Sequence, residues 1–545
     1  MSDIKYTVTE SDVLVIGAGL AGLRAAYEAA RRGCSVTVVS KGPRCSAEIS
    51  GFNAPLGSGD SATLFYEDIQ RSGCSLNDPQ LGKKLALDIS EEVCLLESLG
   101  LEFQKDAEGR YDLLQPLGCR VPRLVHAGTD TGLLAERCLL RALADYPIVW
   151  QEPVTILALM TDGGTVCGAI GHKAKSKDLA VYSAKAVVMA AGGCSGMFSL
   201  STYPAKICGD SSALAFGAGA KLIDMELIDV EPCCLLEPTA LRGHGISSTM
   251  LFAGGVLRNA RGENIVEKYF SGKEEIYKSR LARAMYQEIY AGNGSPHHGV
   301  FYDLTQVPEK TLQQHESSLP LLKKNGIELT RTVIEVAPAH HTALGGIMVN
   351  KYGASSVPGL FAGGEAMGGL HGANRIGGNA GAAVFVFGAA AGRSAAAYAS
   401  GRQTGDIRVL ADSTIQRLTE NMTRCHLSDE PTDSCMKTVK KIISEGLPLI
   451  CGGDEMQRMT AELARSCALA RYAEVTAETV SAFVQMENVC QTASVIAAAA
   501  QTRKESRGVF NRSDFPQTNS CYDNKNTITE AKNDGIACAL IRRNY

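Results

Sequence analysis

The sequence of 545 residues lacks an excess of charge of either sign, because 54 basic residues face 58 acidic ones and the formal net charge is −4. Such a balance provides no basic field for nucleic acid or anionic lipid. Charged residues make up 21% and hydrophobic residues 45% of the chain, close to the average of soluble globular proteins. We therefore predict a folded protein of several domains that binds no nucleic acid and recognises its partners at specific sites.

The sequence also lacks the cysteine spacings of common metal and redox sites. It has 18 cysteines but no C-x-x-C pair, which argues against an iron–sulfur cluster, an attached haem or a structural zinc held by this chain alone. No metal site is predicted. The vicinal Cys233 and Cys234 are interpreted as two buried small side chains, with a redox pair as the alternative. A chain of this size folds without disulfides, so we expect mostly reduced thiols and a cytoplasmic location.

Long hydrophobic runs are scarce. The N-terminus has no basic start of a signal peptide, and its apolar residues run straight into a glycine motif, which favours a first strand. Between Arg375 and Arg393 lie 17 uncharged residues rich in glycine and alanine, just short of the roughly 18 that suggest a spanning helix. We predict a buried helix there and no membrane span.

A strand–helix–strand unit with a glycine turn is predicted near the N-terminus. Apolar residues 13–16 are followed by the G-x-G-x-x-G sequence at 17–22, a helical pattern to Arg32 and a second apolar run at 36–39. In such a turn Gly17 permits the tight bend, Gly19 allows the backbone to approach a pyrophosphate, and Gly22 lets the helix pack on the strand. The unit predicts a dinucleotide site, although Ser40 and Lys41 follow the second strand where an acidic residue would bind the ribose of NAD.

Two later segments repeat the pattern of an apolar strand and a glycine turn, at 184–193 and at 356–366, where the turn ends in an acid. We predict that all three turns form one nucleotide site. The stretch from about 225 to 346 differs in having polar helical runs and proline-containing loops, and it is interpreted as an inserted domain. From about 404 to 501 the pattern is helical, with periodic segments at 456–473 and 476–500.

Four motifs together make the chain resemble the flavoprotein subunits of succinate dehydrogenase and fumarate reductase, and L-aspartate oxidase. They are DVLVIGAGLAGLRAA at 12–26 with VVSKGP, HTALGG at 341–346, GGEAMGGLHGANRIGGNA at 363–380 and RKESRGVFNRSDFP at 503–516. The resemblance implies an α/β protein: a Rossmann-like FAD-binding domain with an inserted α+β capping domain and a C-terminal helical domain. The expected bounds are 1–225 and 347–403 for the FAD-binding domain, 226–346 for the cap, 404–515 for the helical domain and 516–545 for a C-terminal tail.

The resemblance also implies FAD as the cofactor. It places Ser40 and Lys41 near the adenosine ribose, Glu365 on a ribose or ribityl hydroxyl, and Asn379 and Ala380 near the isoalloxazine. The full set of expected cofactor residues is Gly17, Gly19, Leu20, Ala21, Gly22, Ser40, Lys41, Ala191, Gly192, Asp210, Glu365, Asn379 and Ala380. Some relatives attach FAD through a histidine after the second strand; this chain reads RCSAEI at 44–49, so we expect noncovalent FAD.

The catalytic positions match the resemblance only in part. His341 and Arg375 stand where the family holds a substrate carboxylate, a role that suits the planar fork of arginine. The cap motif MELIDVEPC at 225–233 has Glu231 in place of a substrate-binding histidine. Glu231 is predicted to act as acid or base, or to pair with a cationic substrate group; a surface glutamate is the alternative.

In the segment SSTMLFAGGVLRN at 247–259, Leu251 replaces the arginine that the resemblance implies as proton donor. Since leucine cannot donate a proton, ordinary turnover of fumarate or succinate is not expected. Met250, Leu251 and Phe252 are instead expected to form an apolar wall for a larger substrate.

These residues predict an FAD-dependent oxidoreductase that acts on a small organic carboxylate other than fumarate or succinate, by hydride exchange at flavin N5. Arg375 and His341 would hold the carboxylate, and Glu231 would handle the proton. An iron–sulfur subunit is the favoured electron partner, with a soluble donor or oxygen as alternatives. The alternative functions are an enzyme similar to amino-acid oxidases or adenylylsulfate reductase, and a noncatalytic electron-transfer flavoprotein subunit.

Overall fold

The computed structural model describes residues 6–42, 46, 49–116, 118–272, 275–316, 318–403, 405, 407–423, 432–470, 479–532 and 535–543. The strands are β1 (Tyr6–Ile16), β2 (Val36–Val39), β3 (Phe52–Asn53), β4 (Leu124–Val125), β5 (Ile148–Gln151), β6 (Val154–Asp162), β7 (Thr165–Lys173), β8 (Leu179–Met189), β9 (Leu222–Ile223), β10 (Ile228–Leu235), β11 (Val256–Arg258), β12 (Val300–Asp303), β13 (Ile334–Ala343), β14 (Gly346–Met348), β15 (Leu360–Ala362), β16 (Met367–Gly368), β17 (Lys525–Lys532) and β18 (Gly535–Arg542). The helices are α1 (Leu20–Ala30), α2 (Ala62–Ser72), α3 (Pro79–Ser98), α4 (Thr131–Leu143), α5 (Asp210–Gly217), α6 (Ile265–Tyr269), α7 (Lys278–Glu288), α8 (Glu309–His315), α9 (Leu319–Lys324), α10 (Asn379–Ala399), α11 (Ile407–Thr423), α12 (Thr432–Gly446), α13 (Gly453–Ala470) and α14 (Val480–Thr502).

The largest sheet contains the strands that were predicted around the glycine turns. Its order is β5-β2-β1-β8-β7-β6, and β15 also pairs with β8. β1 is parallel to β2 and β8, and β15 is parallel to β8. The carboxyl ends of these four strands therefore meet at one edge, where ligands bind in open parallel sheets. The α/β fold with a Rossmann-like sheet is confirmed.

α10 is the buried helix predicted from the uncharged run. Its small residues allow close packing on α1: a Cβ added at Gly388 would lie 2.6 Å from the carbonyl oxygen of Ala21, and one at Gly392 would lie 2.3 Å from that of Ala25. Among the described helices only α10 has the length and apolar composition of a membrane span, and 72% of its most apolar stretch is buried inside the protein. It packs as a core helix.

A second, antiparallel sheet lies in the inserted segment, in the order β10-β13-β12-β11. Its apolar residues, among them Leu235, Leu257 and Val336, form a hydrophobic cluster separate from the main core. β10 and β13 are neighbours, and Glu231 on β10 is opposite Ala339 on β13. This pairing places the MELIDVEPC segment beside β13, the strand that runs into the HTALGG segment.

The C-terminal residues form a structure that the sequence did not predict. Residues 516–545 were expected to be a tail, but β17 and β18 form an antiparallel hairpin, and β17 pairs with β9 in a sheet ordered β16-β14-β9-β17-β18. Asn526 secures the hairpin, since its side-chain amide donates to Leu76 O at 2.7 Å and to Asp224 Oδ2 at 2.5 Å. Asn526, Thr527 and Thr529 of β17 are thus buried polar residues within the segment that was expected to be a tail.

The helical segments expected at 456–473 and 476–500 correspond to α13 and α14, although residues 471–478 lie outside the described residues. Arg503, directly after α14, is fully buried and bridges Glu226 Oε1 at 2.6 Å and Glu505 Oε1 at 3.0 Å. Buried charges of this kind require paired partners. The RKESRG motif therefore ties the last long helix to the start of the cap motif at Glu226.

Candidate active site

The glycine turn after β1 has the geometry that its sequence predicts. Gly17 has a φ of 109°, and a Cβ there would lie 2.3 Å from Ala190 O at the end of β8. A Cβ on Gly22 would lie only 1.9 Å from Gly17 O. Gly19 has no side chain that could cap α1, and the first turn of α1 has no acidic residue. Apart from Leu20 N–H, which donates to Ser46 Oγ, the amide groups at the start of α1 can therefore accept a pyrophosphate.

A large cavity runs along the carboxyl ends of β1, β2, β8 and β15. The structure brings most of the predicted cofactor residues to its walls: Gly17, Gly19, Ala21, Ser40, Lys41, Ala191, Gly192, Asp210, Glu365 and Ala380. The three glycine turns predicted to form one nucleotide site thus do meet. Long and lined by small residues at a helix N-terminus, the cavity fits a dinucleotide such as FAD.

The other three predicted cofactor residues lie behind the cavity wall. Leu20 is buried, and its backbone N–H donates to Ser46 Oγ at 2.9 Å. Gly22 packs against the turn, as its missing Cβ requires. Asn379 is buried, and its Oδ1 accepts from Asn53 Nδ2 at 2.7 Å. These side chains shape the turn and the start of α10 and do not face the cavity.

Polar groups at the expected ribose positions have partners of their own. Lys41 forms an ion pair with Asp210, whose other oxygen accepts from Asn488 Nδ2 at 3.0 Å. In the stretch 44–49, on which the prediction of noncovalent FAD rests, the structure describes only Ser46 and Ile49. That prediction lies outside the described residues.

Glu365 is held at the cavity by a backbone group from the cap strand β13. Its Oε1 accepts from Ala343 N at 2.8 Å. Burial raises the pKa of Glu365 to about 7, although the N–H of Ala343 and the positive charge of Arg375 act in the opposite direction. The residue is a half-buried, partnered acid beside the cavity and not a solvated turn residue.

Arg375 is almost completely buried and pairs with Asp229. Nε of Arg375 lies 3.1 Å and Nη2 lies 2.9 Å from Oδ2 of Asp229, and the two side chains are 5% and 2% exposed. Burial raises the pKa of Asp229, while Arg375 and Lys278 oppose the rise. Arg375, which was predicted to bind a substrate carboxylate, is therefore already paired with a carboxylate of the protein.

Glu231 pairs with a residue that the sequence did not single out. Nζ of Lys278, at the start of α7, lies 2.5 Å from Oε2 of Glu231. Their side chains are 25% exposed for Lys278 and 13% exposed for Glu231, so the alternative of a surface glutamate is wrong. The ammonium of Lys278 is partly buried and carries protons that it can donate. The site predicted from the sequence had no such donor, because Leu251 stands in place of the arginine.

The charges of both Arg375 and Lys278 act on the pKa of His341. Its Nδ1 lies 2.7 Å from Thr202 Oγ1, and the ring of Tyr203 packs edge-on against it. Burial and the positive charges of Arg375 and Lys278 lower the pKa of His341 well below its usual range. The imidazole is therefore neutral near pH 7, and the tautomer in which Nδ1 accepts from the Thr202 hydroxyl has an Nε2–H that can donate to a substrate.

Two further histidines have separate surroundings. His371 lines the cofactor cavity, and burial with the charge of Arg375 lowers its pKa to about 3. His340 stacks on Phe198 with ring centroids 3.6 Å apart, and burial lowers its pKa to about 4. His340 is thus a half-buried residue held by aromatic packing.

The apolar wall expected at 250–252 is not formed as predicted. Met250 is buried in the hydrophobic cluster of the cap and Leu251 packs against that cluster, whereas Phe252 is 36% exposed. Met250 and Leu251 thus stabilise the cap, and Phe252 faces solvent. All three lie on one short helix, Ser248–Ala253. Cys233 and Cys234 are both buried and burial raises the pKa of each thiol, as expected for small core residues.

Two comparisons with protein families cover most of the chain. The family described as "FAD binding domain" matches residues 12–380, and the one described as "Fumarate reductase flavoprotein C-term" matches residues 432–539. The chain belongs to the fumarate reductase family of flavoproteins. It is an FAD-dependent oxidoreductase of the fumarate reductase and L-aspartate oxidase type.

Similar proteins extend over nearly the whole length of this flavoprotein. A chain of the fumarate reductase (CoM/CoB) of Methanothermobacter marburgensis is 30% identical, over 93% of this chain and 95% of the relative. L-aspartate oxidase from Caulobacter vibrioides is also 30% identical, over 94% and 95%. Among solved structures, the FrdA chain of E. coli quinol fumarate reductase matches with a TM-score of 0.91 at 25% identity, covering 98% of this chain and 97% of that one.

Sequence reasoning missed two members of the flavoprotein's candidate active site. Asp229 lies within the MELIDVEPC motif, two residues before Glu231, and its place in that motif was the only sequence signal for it. Lys278 lies at the start of a polar helix with no motif around it. The structure assembles Asp229, Glu231, Lys278, His341 and Arg375 from β10, α7, β13 and the HGANR segment.

Proposed function

We propose that this oxidoreductase acts on a small organic carboxylate other than fumarate or succinate. The pairing of Arg375 with Asp229 is the observation that carries the proposal. Lys278 is likewise paired with Glu231, and His341 is neutral near pH 7. The cluster thus has two cations balanced by two carboxylates. A dicarboxylate would bring two more negative charges to a buried, balanced site, which is costly unless two cations are free to receive them.

A substrate with one carboxylate and an uncharged remainder suits this balance better. Its carboxylate would take the place of Asp229 at the guanidinium of Arg375, which binds carboxylates through two parallel hydrogen bonds. The Nε2–H of His341 would supply a further donor. FAD, when bound, supplies hydride exchange at its N5 atom. His341 adjoins the cofactor cavity through its neighbours Thr342 and Ala343, and the charge of Arg375 acts on Glu365 and His371, which line that cavity.

The pair of Lys278 and Glu231 would handle the proton. The ammonium of Lys278 can donate a proton to the substrate carbon next to the one that exchanges hydride, and Glu231 would hold the ammonium in place. Positioned acids of this kind contribute about two to four powers of ten to rate. This assigns to Lys278 the donor role for which Leu251 is unsuited, and gives Glu231 a positioning role.

An iron–sulfur protein is the proposed electron partner. The sequence has no C-x-x-C-H or clustered cysteines to hold a haem or an iron–sulfur cluster itself. The relative from Methanothermobacter marburgensis is one of the subunits of a fumarate reductase, so that protein works with another chain. Electrons would reach the cofactor cavity from such a partner.

Oxidation of an amino acid is the second candidate, because Asp229 and Glu231 offer carboxylates that could receive an ammonium group. A zwitterion, with its carboxylate at Arg375 and its ammonium at Asp229, would also leave the charge of the cluster unchanged. The similarity to L-aspartate oxidase from Caulobacter vibrioides supports this alternative.

Anaerobic stopped-flow absorbance can test both candidates. The dithionite-reduced protein is mixed with unsaturated and keto monocarboxylates and with fumarate, and the oxidised protein is mixed with amino acids. Rapid flavin reoxidation by a monocarboxylate, at least about tenfold faster than by fumarate, is expected. Flavin reduction by an amino acid would instead favour the second candidate, and rapid reoxidation by fumarate would contradict the proposed substrate class.

Arg375→Met tests the site itself. The variant should retain FAD while losing about a hundredfold or more in substrate-dependent reoxidation. Arg331→Met, at a cap arginine whose side chain is 81% exposed, is the matched control. Unchanged kinetics in Arg375→Met would overturn the carboxylate assignment.

A further inference from the structure

A second cavity, of about 430 Å³, lies where the cap, the FAD-binding part and the C-terminal segment meet. The cap contributes Ser279, Arg280 and Arg283 from α7. The FAD-binding part contributes Arg71 and Asn374, and the C-terminal segment contributes Arg507. Among the described residues that line it there is no aspartate or glutamate, so the walls are cationic and polar.

The arginines of this cavity differ in how far their charge is compensated. Arg507 is saturated, because its guanidinium pairs with Glu505 and Asp523 and donates to two carbonyl oxygens. Arg71 pairs with Asp68 at 2.9 Å. Arg280 reaches Glu275 only at 3.5 Å.

Arg283 has no hydrogen bond or ion pair with any residue that the structure describes. A guanidinium without a partner, at the wall of a cavity, retains its full capacity to bind a planar anion through its fork of donors. Ser279 lies one helical turn before Arg283, so the two side chains lie on the same face of α7. Asn374 also lines the cavity, and its side-chain amide donates to Oγ of Ser72, another lining residue, at 3.0 Å.

The position of the cavity connects it to the candidate active site. Asn374 directly precedes Arg375, and Ser279 directly follows Lys278. The backbone that carries both cations of the active site therefore also forms two walls of the cavity. An anion bound there would contact the cap through Arg280 and Arg283 and the FAD-binding part through Arg71 and Asn374.

We propose that this cavity is a second anion-binding site, which takes a carboxylate or phosphate group and ties the cap to the FAD-binding part. The ligand is bound chiefly by Arg283, with Arg280 and Ser279 as further donors. The proposal does not depend on the identity of the substrate at Arg375.

Isothermal titration of the FAD-loaded protein with sodium phosphate and, separately, with sodium citrate tests the proposal, with ionic strength held constant by sodium chloride. Saturable binding of at least one of them is expected. Binding of phosphate alone identifies a phosphate ligand, and binding of citrate alone identifies a carboxylate. Both titrations are repeated in Arg375→Met, in which binding at this cavity persists while binding at the candidate active site is lost.

Arg283→Gln should weaken the binding at least about tenfold, because the guanidinium that lacks a protein partner is removed. Arg331→Gln, on the same cap, should leave it unchanged. Arg283→Lys, which keeps the charge and removes the fork, gives an intermediate loss and replaces Arg283→Gln if that variant does not fold. Absence of saturable binding of both anions, or equal binding in the Arg283 variants and the native protein, overturns the proposal.

Discussion

Nε and Nη2 of Arg375 both lie against a single oxygen of Asp229, at 3.1 Å and 2.9 Å. A substrate carboxylate must therefore compete with a carboxylate that belongs to the protein and is almost fully buried. Under the proposed function, we expect this relationship, more than the presence of the arginine, to determine which acids the site accepts.

Asp229→Asn should increase the affinity for carboxylates. The amide keeps the shape of the side chain but removes its negative charge, so the guanidinium of Arg375 gains an unbalanced positive charge. We expect carboxylate dissociation constants, measured from the change in flavin absorbance, to fall about tenfold or more, with the larger gain for dicarboxylates. Glu267→Gln, at an exposed position of the cap, is the control. Equal affinities in Asp229→Asn and the native protein would show that Arg375 does not hold the carboxylate.

Lys278→Met should lower turnover while FAD and substrate still bind. Removal of a positioned proton donor typically costs about two to four powers of ten in rate. Steady-state kinetics should show the loss in kcat, with partial recovery in Lys278→Arg because the arginine can still pair with Glu231. Lys323→Met, an exposed lysine of the cap, is the matched control. Should KM rise with kcat unchanged, Lys278 would be a binding residue and not the donor.

The affinity for FAD should depend on pH through Glu365. In the protein without FAD, burial raises the pKa of this carboxyl to about 7, so it is protonated below that pH. Sugar hydroxyls that donate to the carboxylate favour its ionised form. Affinity should therefore increase as pH rises to about 7 and then level off, by up to about tenfold per unit below that point.

Quenching of FAD fluorescence between about pH 5.5 and 8.5 measures this dependence. Glu365→Gln should flatten the curve, whereas Glu530→Gln, on the C-terminal hairpin, should leave it as in the native protein. A slope that persists in Glu365→Gln would assign the dependence to another group.

Gly22→Ala should disrupt the cofactor site. The added methyl would lie 1.9 Å from Gly17 O, so α1 must move away from the turn, and overpacking of this kind costs about 1–3 kcal/mol. Loss of FAD on gel filtration and a lower midpoint of thermal unfolding are expected. Gly217→Ala, at the exposed end of α5 with no atom within 4 Å of the new Cβ, should leave both unchanged; a Gly22→Ala variant that keeps its FAD and stability would show that the packing is more tolerant than the geometry implies.

The cofactor site could be predicted from sequence because its determinants are local. Gly17 and Gly22 report backbone constraints that only glycine meets, and the short apolar runs at 13–16 and 36–39 identify β1 and β2 on either side of the turn. The buried helix α10 was predictable for the same reason, since its glycines and alanines follow one another in the chain.

The pairing partners Asp229 and Lys278 in the candidate active site, and the C-terminal hairpin, could not be predicted in the same way. Lys278 and Glu231 are 47 residues apart and meet only because α7 packs beside β10. The polar residues of β17 indicated an exposed tail, because their burial depends on partners such as Asp224 far along the chain. Pairings across long sequence separations are set by tertiary packing, which local pattern does not contain.

The C-terminal hairpin has a consequence for how the protein is made. Thr527 N donates to Asp224 Oδ1 across 303 residues, and β17 pairs with β9 beside it. A strand synthesised about 300 residues after β9 thus completes a sheet that β9 begins. Until β17 has been synthesised, this edge of β9 stays open and Asp224 lacks its partners on β17, so the edge must be protected from association with other strands while the residues between β9 and β17 are made.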